Sequence, residues 1–259
     1  MYFKVIALIF SFVLGAVIGS AFLCFLDRRG RGEKWTKGKS HCTCCGHELA
    51  PKDLIPIVSY IALKGKCRYC GEPYSPAALL SEISMGCAGL FSACTAFLLV
   101  SEGGDVPKAV ASALIYVFLG LGAVNDIYSH ECEYVIQYGA FLIGAVYALM
   151  YAGGFQLICM IVLFVVLMVL DLIFRKKKKV ESAIGYADIV VITGVAGILQ
   201  PIYISVGLFF TCVFALISVP IAKANQQGQG TTEEGALGVG FLPFVLYGTF
   251  IAEVLSIVI

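Results

Sequence analysis

Runs of about 20 apolar residues recur eight times along this chain, over residues 2–26, 77–100, 106–125, 134–152, 155–174, 183–199, 201–222 and 236–258. A helix rises 1.5 Å per residue, so runs of this length match the ~30 Å hydrocarbon layer of a bilayer. Within that layer every backbone group must find its partner inside the protein, which leaves helices or closed barrels. Long, uniformly apolar runs select helices. Composition agrees, with 59% hydrophobic residues, 14% charged residues and a mean hydropathy of +0.91. Soluble domains carry roughly 25% charged residues, so a water-soluble single domain is excluded, as is a disordered chain. The expected fold class is an all-α polytopic membrane protein of about eight transmembrane helices, with the lipid bilayer as its surroundings.

Two separators between runs are short. Gly153-Gly154 divides the fourth from the fifth and Gln200-Pro201 the sixth from the seventh, and both pairs interrupt helical backbone where a span should end. The first run follows Lys4 as a signal peptide would, but it ends in Asp27-Arg28-Arg29 without a small-residue cleavage site, so it reads as a retained helix. Of the 18 lysines and arginines, ten lie in 27–76, five form the run 175–179, and Lys223 opens the last long loop. Cytoplasmic loops are rich in Lys and Arg. An N-terminus outside places all of these in the cytoplasm and leaves only Lys4 and Lys108 opposite. The chain thus divides into a first transmembrane helix (1–26), a cytoplasmic segment (27–76) and a seven-helix membrane unit (77–259). A segment of 50 residues is near the size at which a core alone is marginal and a metal usually helps.

That segment holds five of the eleven cysteines. Cys42-Thr43-Cys44-Cys45-Gly46 and Cys67-Arg68-Tyr69-Cys70-Gly71 share the pattern C-x-x-C-G, which suits four thiolates around one tetrahedral Zn²⁺. The expected ligands are Cys42, Cys45, Cys67 and Cys70, with Cys44 or His41 as alternatives to Cys42. Each trailing glycine allows a turn of positive φ that aims backbone N–H groups at sulfur. A reducing cytoplasm argues against disulfides. Four cysteines leave no open coordination position, so this zinc is expected to be structural. The other six cysteines lie in or beside apolar runs and read as small hydrophobic side chains.

Carboxylates at membrane depth each need a reason. Asp171 precedes Arg175 and Lys176 by about one turn and pairs with them; Glu253 is expected to reach the outer interface, and Glu82 to snorkel or pair with an arginine. Asp126 ends the third run and Asp188 begins the sixth, which puts both at the cytoplasmic boundary. Two adjacent carboxyl groups cannot both ionise cheaply, so one keeps a proton while the other activates water, the requirement of acid–base hydrolysis. Spacing alone does not bring them together, since 61 positions separate them. Such a pair could equally be an ion site of a transporter or channel, though those sites usually lie near the bilayer midplane.

Several further motifs accompany these. The first run carries Gly15, Gly19-Ser20 and Phe22-Leu23 before Arg28-Arg29. Between the knuckles stand Leu49 and Asp53-Leu54-Ile55-Pro56-Ile57-Val58-Ser59. Gly185-Tyr186-Ala187-Asp188 opens the sixth run, and Phe241-Leu242-Pro243-Phe244 lies in the last. Together they resemble the type IV prepilin peptidases, membrane aspartic peptidases with a G-x-G-D motif. The resemblance implies catalytic Asp126 and Asp188, with Gly185, Ala187 and Glu82 as motif or substrate-binding positions. It also implies an enzyme of the bacterial inner membrane that cuts the basic leader from type IV prepilins or pseudopilins, which serve pili and protein secretion. A second activity, S-adenosylmethionine-dependent N-methylation of the new N-terminus, is implied by the resemblance alone. No nucleic-acid partner is expected. The chain departs from the family pattern at Ala187, where the second motif glycine should be, and after Asp126, where 127–133 read Ile-Tyr-Ser-His-Glu-Cys-Glu. His130 there is either a proton shuttle or a solvated loop residue.

Overall fold

A computed structural model describes residues 2–36, 38–129, 133–178, 185–229 and 241–259. Among them the chain is helical, with two isolated β-bridges and no strand. Helix α1 (Tyr2–Gly30) leads into the knuckle region, which contains a short α2 (Val58–Ala62). Then come α3 (Ala77–Glu102), α4 (Val106–Ser129), α5 (Tyr134–Tyr147, extended by one wider turn over Ala148–Ala152), α6 (Gly154–Lys178), α7 (Tyr186–Ala196), α8 (Pro201–Gln229) and α9 (Leu242–Val258). Leaving out α2, these are the eight expected helices. Five of them are long and apolar enough to cross a membrane, while α7, α9 and the apolar part of α8, Pro201–Ile217, are shorter.

Both separators act as expected. Gly153 takes φ +89 between α5 and α6, and Pro201 opens α8. The sixth run is where the structure differs most. Its helix has 11 residues, about 16 Å at 1.5 Å per residue, and every residue from Ile189 to Ala196 is buried. Apolar on all sides, α7 is a central helix rather than a lipid-facing span. Its C-terminal carbonyls are met by a side chain of α6: Gln156 Nε2 donates to the carbonyl oxygen of Ala196 at 2.6 Å and to that of Leu199. A buried helix end satisfied in this way can stop inside the bundle.

Where α5 crosses α7 there is no room for side chains. A Cβ on Gly144 would lie 1.9 Å from the carbonyl oxygen of Gly194. Small residues let helix backbones approach closely in the absence of a hydrophobic force between them. Gly144→Ala is therefore expected to force the two helices apart. A loss of about 1–3 kcal/mol, the usual penalty for overpacking, should be read as a lower melting temperature of detergent-solubilised protein, and an unchanged melt would show that the crossing yields.

Helices α4 and α9 are pinned at two levels. Asp126 meets the first turn of α9 through Leu242 N–H, and Glu253 lies fully buried between them. The Tyr116 hydroxyl donates to Glu253 Oε2 at 2.7 Å, and the Ser112 hydroxyl donates to Oε1. Glu253 therefore does not reach an outer interface: two hydroxyls of α4 supply inside the bundle what water would supply outside it. Asp171 is buried and accepts from Arg175 Nε at 2.5 Å, in keeping with the charge pairing read from their spacing.

Candidate active site and metal centre

The knuckle region begins where α1 ends. Arg28, buried, donates to the carbonyl oxygens of Trp35 at 3.0 Å and Gly38 at 3.4 Å, folding the chain back on the helix end. The two knuckles then repeat one pattern. Cys42 N–H donates to His47 O at 3.0 Å and Gly46 N–H to Cys42 O at 2.9 Å; Cys67 N–H donates to Glu72 O at 2.8 Å and Gly71 N–H to Cys67 O at 3.0 Å. Gly46 and Gly71 take φ +70 and +75, the left-handed turn that glycine adopts without strain. His47 and Tyr69, one from each knuckle, pack against each other with ring centroids 3.6 Å apart and planes tilted by 34°.

This pairing brings Cys42, Cys45, Cys67 and Cys70 together, with their sulfur atoms all within 4.8 Å of one another. Cys42 Sγ and Cys70 Sγ are 3.9 Å apart. Tetrahedral Zn–S bonds of 2.3 Å require about 3.8 Å between sulfurs, so the four side chains fit such an ion. Cys44 is exposed and outside the cluster, and His41 Nδ1 lies 3.3 Å from the Lys39 carbonyl oxygen. Cys42 is thus the member that packing selects. Donation from the Cys70 amide, the Tyr74 hydroxyl and the Tyr69 amide lowers the Cys67 thiol to about 6. Cys70 receives the Glu72 amide, yet burial and the neighbouring thiols push it up to about 12.

Asp53 locks the second knuckle. Its carboxylate accepts from Arg68 Nε at 2.7 Å, the Tyr69 hydroxyl at 3.2 Å and Ala50 N–H at 3.3 Å. The Arg68 hydrogen bond, ahead of the other contacts, holds Asp53 below the usual carboxylate range. The stretch after it turns sharply at Ile57, whose φ of 63 is unusual for a β-branched residue. Ile57 N–H donates to Glu82 Oε2 at 2.6 Å. Glu82, buried on α3, thereby anchors the linker to the bundle; it neither snorkels nor makes an ion pair among the described residues.

The second constellation lies at the same end of the bundle. Asp126 sits in the last turn of α4, and its Oδ2 accepts from Leu242 N–H at 2.9 Å, so the Phe241-Leu242-Pro243 turn places the α9 N-terminus against it. Asp188 stands in the first turn of α7, with Gly185 as the capping residue and Asp188 N–H donating to Gly185 O at 3.0 Å. A Cβ at position 185 would lie 2.8 Å from Asp188 Oδ2, so the glycine leaves space for that carboxylate to fold back. Ala187 is half-buried, and the Tyr186 hydroxyl is 3.3 Å from that of Tyr138 on α5. The two aspartates, with 61 residues between them in sequence, come within electrostatic reach of each other. Glu133 is held by Arg29. His130 and Glu131 lie outside the described residues. The Leu242 amide was not legible as a partner of Asp126, although the Pro243 beside it signals a helix start.

Residues 13–96 match a family model described as the bacterial peptidase A24 N-terminal domain. Over 93 residues the chain is 38% identical to a prepilin leader peptidase/N-methyltransferase of Myxococcus xanthus, covering 36% of this chain and 27% of that protein. Proteins of the same name from Klebsiella pneumoniae and Bacillus subtilis are 32% identical over 83 residues and 33% over 82; these cover 30% and 32% of this chain and 36% and 32% of the relatives. The chain's matches thus span about a third or less of those relatives' own lengths. No solved structure matches. The stretch matched by the family model carries the second half of α1, the knuckles and Glu82. Asp126 and Asp188 lie beyond the family-model match.

Proposed function

We propose that this protein is a membrane aspartic endopeptidase that removes the basic leader from type IV prepilins or pseudopilins and then N-methylates the new N-terminus. The observation that supports the peptidase reading is that Asp126, in the last turn of α4, and Asp188, in the first turn of α7, lie within electrostatic reach of each other. A substrate with a basic leader followed by an apolar helix can lie along the bundle with its cleavage point at that end. The aspartates share one proton. The unprotonated carboxylate takes a proton from water as the water oxygen adds to the scissile carbonyl carbon, and the protonated one donates to the carbonyl oxygen. Collapse of the adduct expels the amine, which leaves with a proton returned from the pair. Gly185 and Ala187, with little or no side chain, leave room beside Asp188 for a substrate backbone. An ion-conducting role gains nothing from the geometry, because both carboxylates sit at helix ends.

The division into 1–26, 27–76 and 77–259 follows from the same reading, with Cys42, Cys45, Cys67 and Cys70 holding a structural zinc that fixes the linker on which Glu82 bears. Cleavage of a co-expressed prepilin, read as a mobility shift, tests the proposal, and a precursor that stays uncut in cells containing the protein overturns it. An N-terminus outside the cell puts the knuckles in the cytoplasm. Cys44, exposed and free of the metal cluster, is then expected to resist a membrane-impermeant maleimide in intact cells and to react after lysis. Labelling in intact cells would invert the topology and place the aspartates opposite the leader.

A further inference from the structure

Residues 54–63, between the knuckles, read Leu-Ile-Pro-Ile-Val-Ser-Tyr-Ile-Ala-Leu and form the longest uncharged stretch of the segment 27–76. An apolar run of about 10–14 residues is too short to span a bilayer and belongs either in a protein core or at a membrane interface. Here it is not in a core. No residue of α2 is buried; Val58 is 59% and Ile61 64% exposed, and Ile55 and Ala62 are exposed beside them. The polar side chains face the other way. Ser59 and Tyr60, with Leu63, line a cavity of about 340 Å³ that they share with Glu82 of α3 and with Ser20 and Asp27 of α1. A segment that turns hydroxyls inward and aliphatic side chains outward is inverted for water and suits a partner that is itself apolar.

Depth identifies that partner. Ile57 N–H donates to Glu82 Oε2 at 2.6 Å, and Glu82 stands about 7.5 Å along the axis from the start of α3 at Ala77. The candidate span Ala77–Ser101 has 25 residues, so its length of about 37 Å exceeds the ~30 Å hydrocarbon layer by about 7 Å. Centred in the bilayer, it puts the Glu82 level about 4 Å inside the hydrocarbon boundary. The shared cavity also reaches Ser20, about 15 Å before the end of α1 at Gly30. Residues 54–63 therefore lie alongside the ends of two membrane-crossing helices, not beyond them. Their backbone meets the demand of that depth: Ser59, Ile61 and Leu63 N–H donate to the carbonyl oxygens of Ile55, Ile57 and Ser59 at 3.0, 3.0 and 2.9 Å. Lys52 and Lys64, both exposed, bracket the run, and lysines at the edge of an interfacial segment reach back to phosphate groups. We infer that residues 54–63 form an interfacial anchor, with Ile55, Val58 and Ile61 in the hydrocarbon of the adjoining phospholipid leaflet and Lys52 and Lys64 at its headgroups. The anchor holds the knuckles against the membrane at the end of α4 that carries Asp126, since Tyr128 lines the same cavity. It rests on helix geometry and is independent of the proposed peptidase activity.

Tryptophan quenching in lipid nanodiscs tests it. Trp35 is the chain's single tryptophan, so Trp35→Phe clears the background and a second substitution reports one position of the full chain. The discs contain phosphatidylcholine and phosphatidylglycerol with bromine on their acyl chains, and acrylamide serves as the quencher in water. Ile61→Trp is expected to lose fluorescence in brominated discs to the same degree as Val162→Trp on the exposed face of α6, and to resist acrylamide. Lys39→Trp, on the exposed surface of the first knuckle, is expected to behave in the opposite way. Each variant is read only if it keeps the elution volume of the wild type; should Ile61→Trp fail that check, Val58→Trp on the same face replaces it. Quenching by acrylamide without quenching by brominated lipid would put the strip in water and overturn the anchor. Shielding from both quenchers would overturn it too, by showing that protein covers the strip, whether a second copy of the chain or another of its segments.

Discussion

Asp126→Asn and Asp188→Asn are each expected to reduce prepilin cleavage by about 10²–10⁴-fold, the usual share of general acid–base catalysis, while zinc content and membrane insertion stay unchanged. Asparagine keeps the size of the side chain but neither accepts nor delivers the proton. At position 126 its side-chain oxygen can still accept from Leu242 N–H, so the α9 contact survives and the loss is chemical rather than structural. The double variant should be little worse than either single one, because groups acting as one unit are not additive. Asp171→Asn should cut normally, since Arg175 accounts for that carboxylate. Cleavage by both Asp126→Asn and Asp188→Asn at the wild-type rate would reject the aspartic mechanism. Loss at Asp188 alone would mean that Asp126 serves α9 rather than catalysis, and Glu131, Glu133 or Glu82 would be the next candidate.

Cys67→Ser or Cys70→Ser should reduce zinc from about one ion per chain to near zero. Either substitution leaves three of the four thiolates, one short of the closed tetrahedral set of a structural zinc. Structural zinc contributes about 10–16 kcal/mol of apparent binding energy in small metal-folded peptides. Its removal should therefore open 31–76 to proteolysis while the helices of the bundle remain resistant. Cys44→Ser, outside the cluster, should keep its zinc. Full metal content in Cys67→Ser and Cys70→Ser would reject the four-cysteine site, and a normal proteolysis pattern in a zinc-free variant would show that Asp53, Arg68 and the His47–Tyr69 ring contact hold the knuckles unaided.

The number and order of the helices were legible in the sequence because hydrophobic length is a local property: about 20 apolar residues make a span wherever they occur. Gly153 and Pro201 were legible as breaks for the same reason. So were the knuckles, since C-x-x-C-G fixes ligand spacing and turn conformation within five residues. Tertiary structure decided which sulfurs converge, choosing Cys42 over its neighbours Cys44 and His41. It also decided that Asp126 and Asp188 come within electrostatic reach of each other, because 61 intervening positions carry no pairing information and only the packing of α4, α5, α7 and α9 supplies it. Periodicity could not shorten the sixth run to an 11-residue helix, since a fully buried helix and a lipid-facing one are both apolar on all sides. Nor could the sequence place Glu253 between Ser112 and Tyr116, or leave Glu82 uncompensated in a cavity. A carboxylate's partner is set by the helix packed against it, and in a bilayer that packing depends on small residues such as Gly144 and Gly194, whose effect is felt only where two backbones touch.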